Sequence, residues 1–118
     1  MQAISEKHAA AVRRNWEFFR APLACVVCMH RDLGPWDAMS VGMFLQTLLL
    51  ALTERGEDSC VEVSIVGYPE IVRAELEIPE ELSILCGLAV GYPDPNFAAN
   101  KLHTGRDAIG KNVVFVTE

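Results

Sequence analysis

The sequence predicts a single domain that combines α-helices with β-strands. Residues 23–30 (LACVVCMH) and 82–92 (LSILCGLAVGY) are short, almost wholly apolar runs, as expected for strands covered on both faces. Between them, residues 37–55 form a longer apolar stretch with the length of a helix. The chain has 118 residues, enough for one domain with its own core.

The first predicted helix covers residues 5–19. Ala9, Val12, Trp16 and Phe19 recur at the three-to-four spacing of one helix face. The helix is expected to stop near residue 20, because a proline at position 22 disfavours a helical residue before it. The first strand follows, and we place it in the middle of a sheet.

The second predicted helix, residues 37–55, is apolar on nearly every face. Asp37 is placed to cap its start, and Gly56 marks its end. A surface helix would show a polar side, and one small sheet cannot cover such a helix all round. The simplest remaining cover is a second copy of the chain. The sequence therefore predicts a homodimer with this helix in the interface.

Three shorter elements complete the prediction. Residues 60–65 are assigned to a short strand or extended segment. A helix at residues 70–76 opens with Pro69 at its first position. Residues 112–117 (NVVFVT) alternate as expected for a third, final strand.

Charge and composition exclude several classes of function. The formal net charge is −6 and the cations are scattered, so no nucleic-acid footprint or basic membrane patch is present. The N-terminus lacks the apolar region of a secretory signal. The longest uncharged run, residues 38–53, is shorter than a membrane span of about 20 residues. Four cysteines, mostly in apolar strands, fit reduced thiols, so we expect a cytoplasmic protein.

Few local motifs carry chemistry. Cys25 and Cys28 have the spacing of a metal or redox pair, but residues three apart on a strand point to opposite faces, so we interpret them as buried thiols. The sequence contains no Walker loop and no Gly-x-Gly-x-x-Gly. We therefore predict no metal site and name no catalytic residue. Lys101 and Arg106, in the loop after the last apolar strand, are either phosphate ligands or solvated surface cations.

From Asn15 onward the chain resembles the C-terminal half of the FMN-dependent nitroreductase family, most closely the branch acting on nitroaromatics and quinone-like acceptors. The matching segments are NWEFFRAP, GPWDAMSVGMFLQTLLLAL, RGEDSC, YPEIVRAELEIPEEL and CGLAVGYPDPNFAANKLHTGR. Nothing before Asn15 resembles the family's N-terminal half. The resemblance implies an α+β fold with a mixed sheet and flanking helices, dimerising through the long central helix.

The resemblance also implies a cofactor and the residues that hold it. The family binds FMN in the dimer interface, with backbone amides near flavin N5 and O4. The matching residues are Glu62, Val63 and Ser64. Arg106, assisted by Lys101, matches the cation that holds the FMN phosphate. Glu62 stands where this branch usually has glutamine, and it would put a carboxylate near a ring that becomes anionic on reduction.

Two functions follow from the resemblance and its departures. The first is an FMN-dependent NAD(P)H oxidoreductase that transfers hydride to a nitroaromatic, quinone or enone. The second is a truncated, flavin-free relative that binds a small molecule, or catalyses a non-redox step, in the cleft between two copies. A purely structural partner of a full-length relative is a third possibility.

Overall fold

Helices alternate with strands along the chain. The computed structural model describes residues 2–117, with side-chain burial at residue 6 and from residue 8 onward. The main elements are α1 (Gln2–Trp16), β1 (Leu23–His30), α2 (Pro35–Glu54), β2 (Asp58–Glu62), α3 (Pro69–Leu76) and β3 (Leu82–Gly91). Short 3₁₀ helices cover Ser64–Gly67, Ala98–Lys101 and Ile109–Lys111. A further short turn covers Phe18–Arg20.

The three strands form one sheet in the order β1-β3-β2. Both strand pairs are antiparallel, so the prediction of a mixed sheet is wrong for the described residues. The prediction that β1 lies in the middle is also wrong, because β3 takes that place. Apolar content alone could not separate the two, since both strands are almost free of polar side chains. Pairing on both sides explains why β3 holds most of the buried apolar residues.

The final predicted strand, residues 112–117, is absent from the described residues. Val114, Phe115 and Val116 are 88%, 74% and 92% exposed. An alternating pattern favours extended backbone, but a strand forms only where another strand supplies its hydrogen bonds. Within the described chain, residues 113–117 pair with neither edge of the sheet.

The start of α2 differs from the prediction by two residues. The helix begins at Pro35, and Asp37 lies inside its first turn. The Asp37 Oδ2 accepts a hydrogen bond of 2.9 Å from the N–H of Gly34, so the carboxylate stabilises the helix start from within. The predicted end is confirmed: Gly56 has a φ of +77° and its N–H donates to the Thr53 carbonyl.

α1 ends at Trp16, three residues before the predicted end. Phe18, Phe19 and Arg20 then adopt left-handed conformations with φ values of 47°, 53° and 62°. Each such residue costs about 1–3 kcal/mol and persists only where its surroundings hold it in place. Here the turn places the Phe18 ring against β3, where an added Cβ on Gly87 would lie 2.8 Å from Phe18 Cε1.

α2 is only partly covered by its own chain. Its contacts with the sheet are mainly along β2. Three apolar side chains, Trp36, Met43 and Leu50, lie seven residues apart and are 79%, 62% and 62% exposed. By length and composition α2 could also cross a membrane, a test that core helices of soluble proteins pass as well. A helix with this exposed stripe needs a further covering surface.

Arg73 connects the end of α3 to the start of β3. Its guanidinium donates hydrogen bonds to the carbonyls of Ile78 (3.1 Å), Pro79 and Leu82 (2.8 Å). These carbonyls belong to the loop after α3, where Glu77 takes a left-handed conformation. A planar guanidinium can satisfy several acceptors at once, which an ammonium group does less well.

We expect Arg73→Met to lower the free energy of unfolding by about 2–4 kcal/mol, because several charge-assisted hydrogen bonds are lost together. Urea denaturation followed by circular dichroism measures this change. Arg55→Met, at the exposed end of α2, is the control and should change stability by less than about 0.5 kcal/mol. Equal effects of the two substitutions would contradict the assigned role of Arg73.

Candidate functional site

The segment predicted to contact a flavin lies where β2 ends. The strand stops at Glu62, and Val63, with φ −92° and ψ −18°, turns the chain into the 3₁₀ helix Ser64–Gly67. The expectation of an extended strand through residue 65 is therefore wrong beyond Glu62. The turn follows from helical backbone angles at Val63, which end the strand ladder with β3.

This turn leaves two backbone donors free. Among the described residues, neither the N–H of Val63 nor that of Ser64 donates a hydrogen bond. The N–H groups in the first turn of a helix have no partner within the helix, which accounts for Ser64. Val63 is 69% exposed, so the turn that it begins lies at the surface. Free, fixed backbone donors suit the recognition of carbonyl and ring-nitrogen acceptors.

Glu62 points into the protein. Its side chain is 2% exposed, and its Oε1 is buried without a hydrogen-bond partner among the described residues. It is paired in register with Gly87, and Phe18 and Ile65 lie against the same glycine. Burial raises the pKa of the Glu62 carboxyl, and a hydrogen bond from Cys60 offsets part of that rise.

The two predicted phosphate ligands are on the surface. Lys101 ends the 3₁₀ helix Ala98–Lys101 and is exposed. The Nη1 of Arg106 donates to the carbonyls of Thr104 (3.2 Å) and Gly105 (3.1 Å) and contacts the Thr104 hydroxyl. No carboxylate forms an ion pair with either cation in the part of the chain that the structure describes. Both positive charges are thus available to an anion.

Two clefts in the part of the chain that the structure describes do not contain the five predicted residues. The larger cleft of these two, of about 530 Å³, lies over the Ala89–Gly91 end of β3, and the other, of about 450 Å³, lies between β1 and the end of α3. Glu62, Val63, Ser64, Lys101 and Arg106 line neither cleft. Any ligand touching all five would need additional walls.

The larger cleft contains a contact that the sequence did not indicate. The Arg14 guanidinium lies 4.7 Å from the centre of the Phe97 ring, a cation–π distance. Phe19, Tyr92 and Asp94 also line this cleft. Residues 14 and 97 are far apart in the sequence, and no periodicity within one element relates them, so only the folded chain shows that they meet.

The expectation that Cys25 and Cys28 are buried thiols is only partly met, because both are half-buried, while Cys60 is exposed and Cys86 is buried. All four are free, and Cys25 and Cys28 lie on β1, where strand alternation turns them to opposite faces. Burial raises the pKa of the Cys28, Cys60 and Cys86 thiols. A raised pKa lowers the thiolate fraction and so disfavours a nucleophilic role.

Comparison with known proteins adds a family and a fold. A model described as "Nitroreductase family" matches residues 2–92. The match begins before Asn15 and ends before the loop that carries Lys101 and Arg106. Among curated proteins, the chain is 32% identical over 104 residues to a 4-nitrobenzoate reductase from Nocardioides sp. (strain LMS-CY), covering 88% of this chain and 42% of that protein.

Two solved structures have the same fold. An FMN and NADPH-dependent nitroreductase NfnB from sphigopyxis sp. strain HMH has a TM-score of 0.91 and 27% identity, covering 96% of this chain and 51% of that one. The FMN-dependent NfnB from Mycobacterium smegmatis, in complex with NADPH, has a TM-score of 0.82 and 29% identity, covering 88% and 46%. The chain thus spans about half the length of the proteins it matches.

Proposed function

This chain belongs to the nitroreductase family, and from that premise we propose that it acts as, or forms part of, an FMN-dependent oxidoreductase. The reaction would take hydride from NADH or NADPH and deliver it to an electron-poor acceptor such as a nitroaromatic, quinone or enone. The observation that carries this proposal is the fold similarity to an FMN and NADPH-dependent nitroreductase over 96% of the chain. Fold similarity is a guide to activity only where the site residues agree with it.

The residues present fit one edge of such a cofactor. The free N–H groups of Val63 and Ser64 would donate to the polar edge of the ring, and backbone donors do so without adding a competing acid. The Glu62 carboxyl does not obstruct this edge, because its side chain points inward. FMN, when bound, supplies the hydride chemistry, and the chain supplies orientation and electrostatics.

Arg106 and Lys101 would bind the phosphate of FMN. Arg106 already turns its Nη1 toward its own loop, and a phosphate would replace these weak contacts with charge-assisted ones. Lys101 adds a second positive charge nearby in the sequence, but no described contact joins the Lys101 and Arg106 side chains. The remaining contacts to FMN would come from residues outside these five.

We expect Arg106→Ala to weaken FMN binding by about 10- to 100-fold, the equivalent of one charge-assisted hydrogen bond. Titration of the chain with FMN, followed by quenching of flavin fluorescence, measures this change. Lys111→Ala is the matched control, because Lys111 is an exposed cation of the same segment paired with Asp107 at 2.9 Å. An unchanged affinity in Arg106→Ala would remove the phosphate assignment.

A homodimer formed through α2 is part of this proposal. The exposed stripe of Trp36, Met43 and Leu50 repeats every seven residues, the spacing with which two helices pack along a shared seam. Pairing two copies along it would cover all three side chains at once. A binding cleft between the copies would also supply the walls that the five predicted residues lack.

A flavin-free small-molecule protein is the second candidate. It is favoured by the cleft of about 530 Å³, which none of the predicted cofactor residues lines. The absorption spectrum of the purified protein separates the two functions. A yellow protein, or one that quenches the fluorescence of added FMN, supports the oxidoreductase. A colourless protein that leaves FMN fluorescence unchanged supports the second candidate.

We also propose a cytoplasmic location without nucleic-acid or membrane partners. The free thiols and the net charge of −6 support it. α2 then acts as an interface helix, although its length and composition also suit a membrane span. Fractionation of cells into soluble and membrane portions tests this placement, and recovery in the membrane portion would contradict it.

A further inference from the structure

Glu62 is an acidic residue in an environment that does not stabilise a negative charge. Its side chain is 2% exposed, and among the described residues its Oε1 is the one buried side-chain oxygen or nitrogen without a hydrogen-bond partner. No cation forms an ion pair with it in that part of the chain. Burying an unpaired carboxylate is costly, and such groups usually take up a proton instead.

The groups that surround Glu62 do not alter this conclusion. Phe18 from the left-handed turn, Ile65 from the 3₁₀ helix and the Cβ of Glu62 converge on the same side of Gly87 in β3, and neither Phe18 nor Ile65 titrates. The Cys60 thiol, on the same face of β2, is a titratable neighbour, and its hydrogen bond offsets part of the rise in the pKa of the Glu62 carboxyl; the pKa of the thiol is itself raised, chiefly by desolvation. A neutral thiol offers the carboxyl no compensating positive charge.

The position of Glu62 connects its protonation state to the reduction of a bound flavin. Glu62 directly precedes Val63, whose free N–H is the first of the two proposed flavin contacts. A flavin ring gains negative charge when it is reduced, so a carboxylate beside it would oppose reduction by Coulomb repulsion. A neutral acid of the same shape would not.

We propose that Glu62 is held in the folded chain as a neutral carboxylic acid, and that its neutrality permits reduction of a flavin bound at Val63 and Ser64. Glu62 is thus a positioning residue that sets the local charge. The first half of the inference concerns the folded chain alone. The second half rests on the proposed function.

The first half is tested by stability against pH, with no cofactor present. In the unfolded chain a glutamate ionises near its ordinary pKa of about 4.3, whereas the folded chain keeps its proton to higher pH. The folded state therefore binds more protons in this window. The stabilisation contributed by the neutral acid is fully present below the unfolded pKa and is lost as pH rises toward the folded pKa.

We expect the stability of the wild type to fall relative to Glu62→Gln as pH rises from the ordinary glutamate pKa of about 4.3 through the raised pKa of the folded chain. The amide cannot ionise, so that variant lacks this component of the pH dependence. Urea denaturation across the pH range measures the difference. If Glu62→Gln folds poorly, Glu62→Leu replaces it as a variant that cannot ionise. Glu80→Gln, which removes an exposed carboxylate, is the control, and its stability should follow that of the wild type across the pH range. Parallel profiles for the wild type and both Glu62 variants would overturn the inference.

The second half is tested by the reduction potential of bound FMN. We expect the wild type and Glu62→Gln to have equal potentials below the pH at which the stability profiles show Glu62 ionising, and the potential of the wild type to fall below that of the variant above that pH. If Glu62 had a purely structural role, the difference between the two reduction potentials would not change with pH. Potentials that still coincide above the pH at which the stability profiles show Glu62 ionising would overturn the charge-setting role and leave the protonation intact. A wild type that binds no FMN would overturn the proposed function and this second half together, while the stability profiles would still decide the first.

Discussion

Substituting Met43 with glutamate is expected to convert the proposed dimer into monomers. Met43 is the middle of the exposed α2 stripe, between Trp36 and Leu50. In a two-fold pair of helices the substitution places two unpaired carboxylates in an apolar seam, which costs several kcal/mol. We expect the dissociation constant of the dimer to rise by at least about 100-fold, the equivalent of about 3 kcal/mol.

Sedimentation velocity at micromolar protein concentration measures this effect. Met43→Leu is the matched control, because it keeps an apolar side chain of similar volume and should leave the dimer intact. Circular dichroism of the glutamate variant separates dissociation from unfolding. A wild type that sediments as a folded monomer, or a glutamate variant that stays dimeric, would contradict the α2 interface.

A valine in place of Gly87 is expected to produce a large loss of stability. An added Cβ at this position would lie 2.8 Å from Phe18 Cε1, 3.1 Å from Ile65 Cδ1 and 3.2 Å from Glu62 Cβ. Three contacts from three different elements leave no direction in which the new side chain fits. Overpacking of this kind costs about 1–3 kcal/mol, and the two γ carbons of valine put the expected loss at the upper end.

Urea denaturation of Gly87→Val and of Gly67→Ala tests this expectation. An added Cβ at Gly67 meets nothing within 4 Å, so the alanine control should change stability by less than about 1 kcal/mol. Combining Gly87→Val with Phe18→Ala should recover part of the loss, because the closest contact is removed. A Gly87→Val protein as stable as the wild type would mean that Phe18 does not lie on β3.

Elements with a strong internal pattern could be predicted from the sequence. β1 has the predicted bounds, and α3 begins at the predicted proline and ends at residue 76 as expected. In both cases the signal is local, an apolar run or a proline at the first helical position. The family could also be predicted, because several weak segments occur in the right order.

Strand partners and the position of β1 in the sheet could not be predicted. Both β1 and β3 are apolar throughout, and pattern alone does not say which is paired on two sides. Residues 112–117 alternate like a strand, yet no strand of the described chain pairs with them. Pairing depends on contacts between distant parts of the chain, which hydrophobic periodicity does not encode.

Whether Glu62, Val63 and Ser64 contact a flavin stays a prediction. The structure places these residues where β2 ends, and the N–H groups of Val63 and Ser64 have no partner among the described residues. The direction of the Glu62 side chain could not be predicted, because it depends on Gly87 leaving room beneath it in the neighbouring strand. Where the two cations lie relative to this segment stays a prediction, since no described contact joins them.

The strand order also determines when the sheet can form during synthesis. β1 and β2 do not pair with each other, and both depend on β3, the last of the three to be made. The apolar α2 therefore leaves the ribosome before β3, the pairing partner of β1 and β2 in the described chain, has been made. A nascent chain in this state exposes apolar surface. We expect it to fold slowly relative to a helical domain and to be bound by chaperones at this stage.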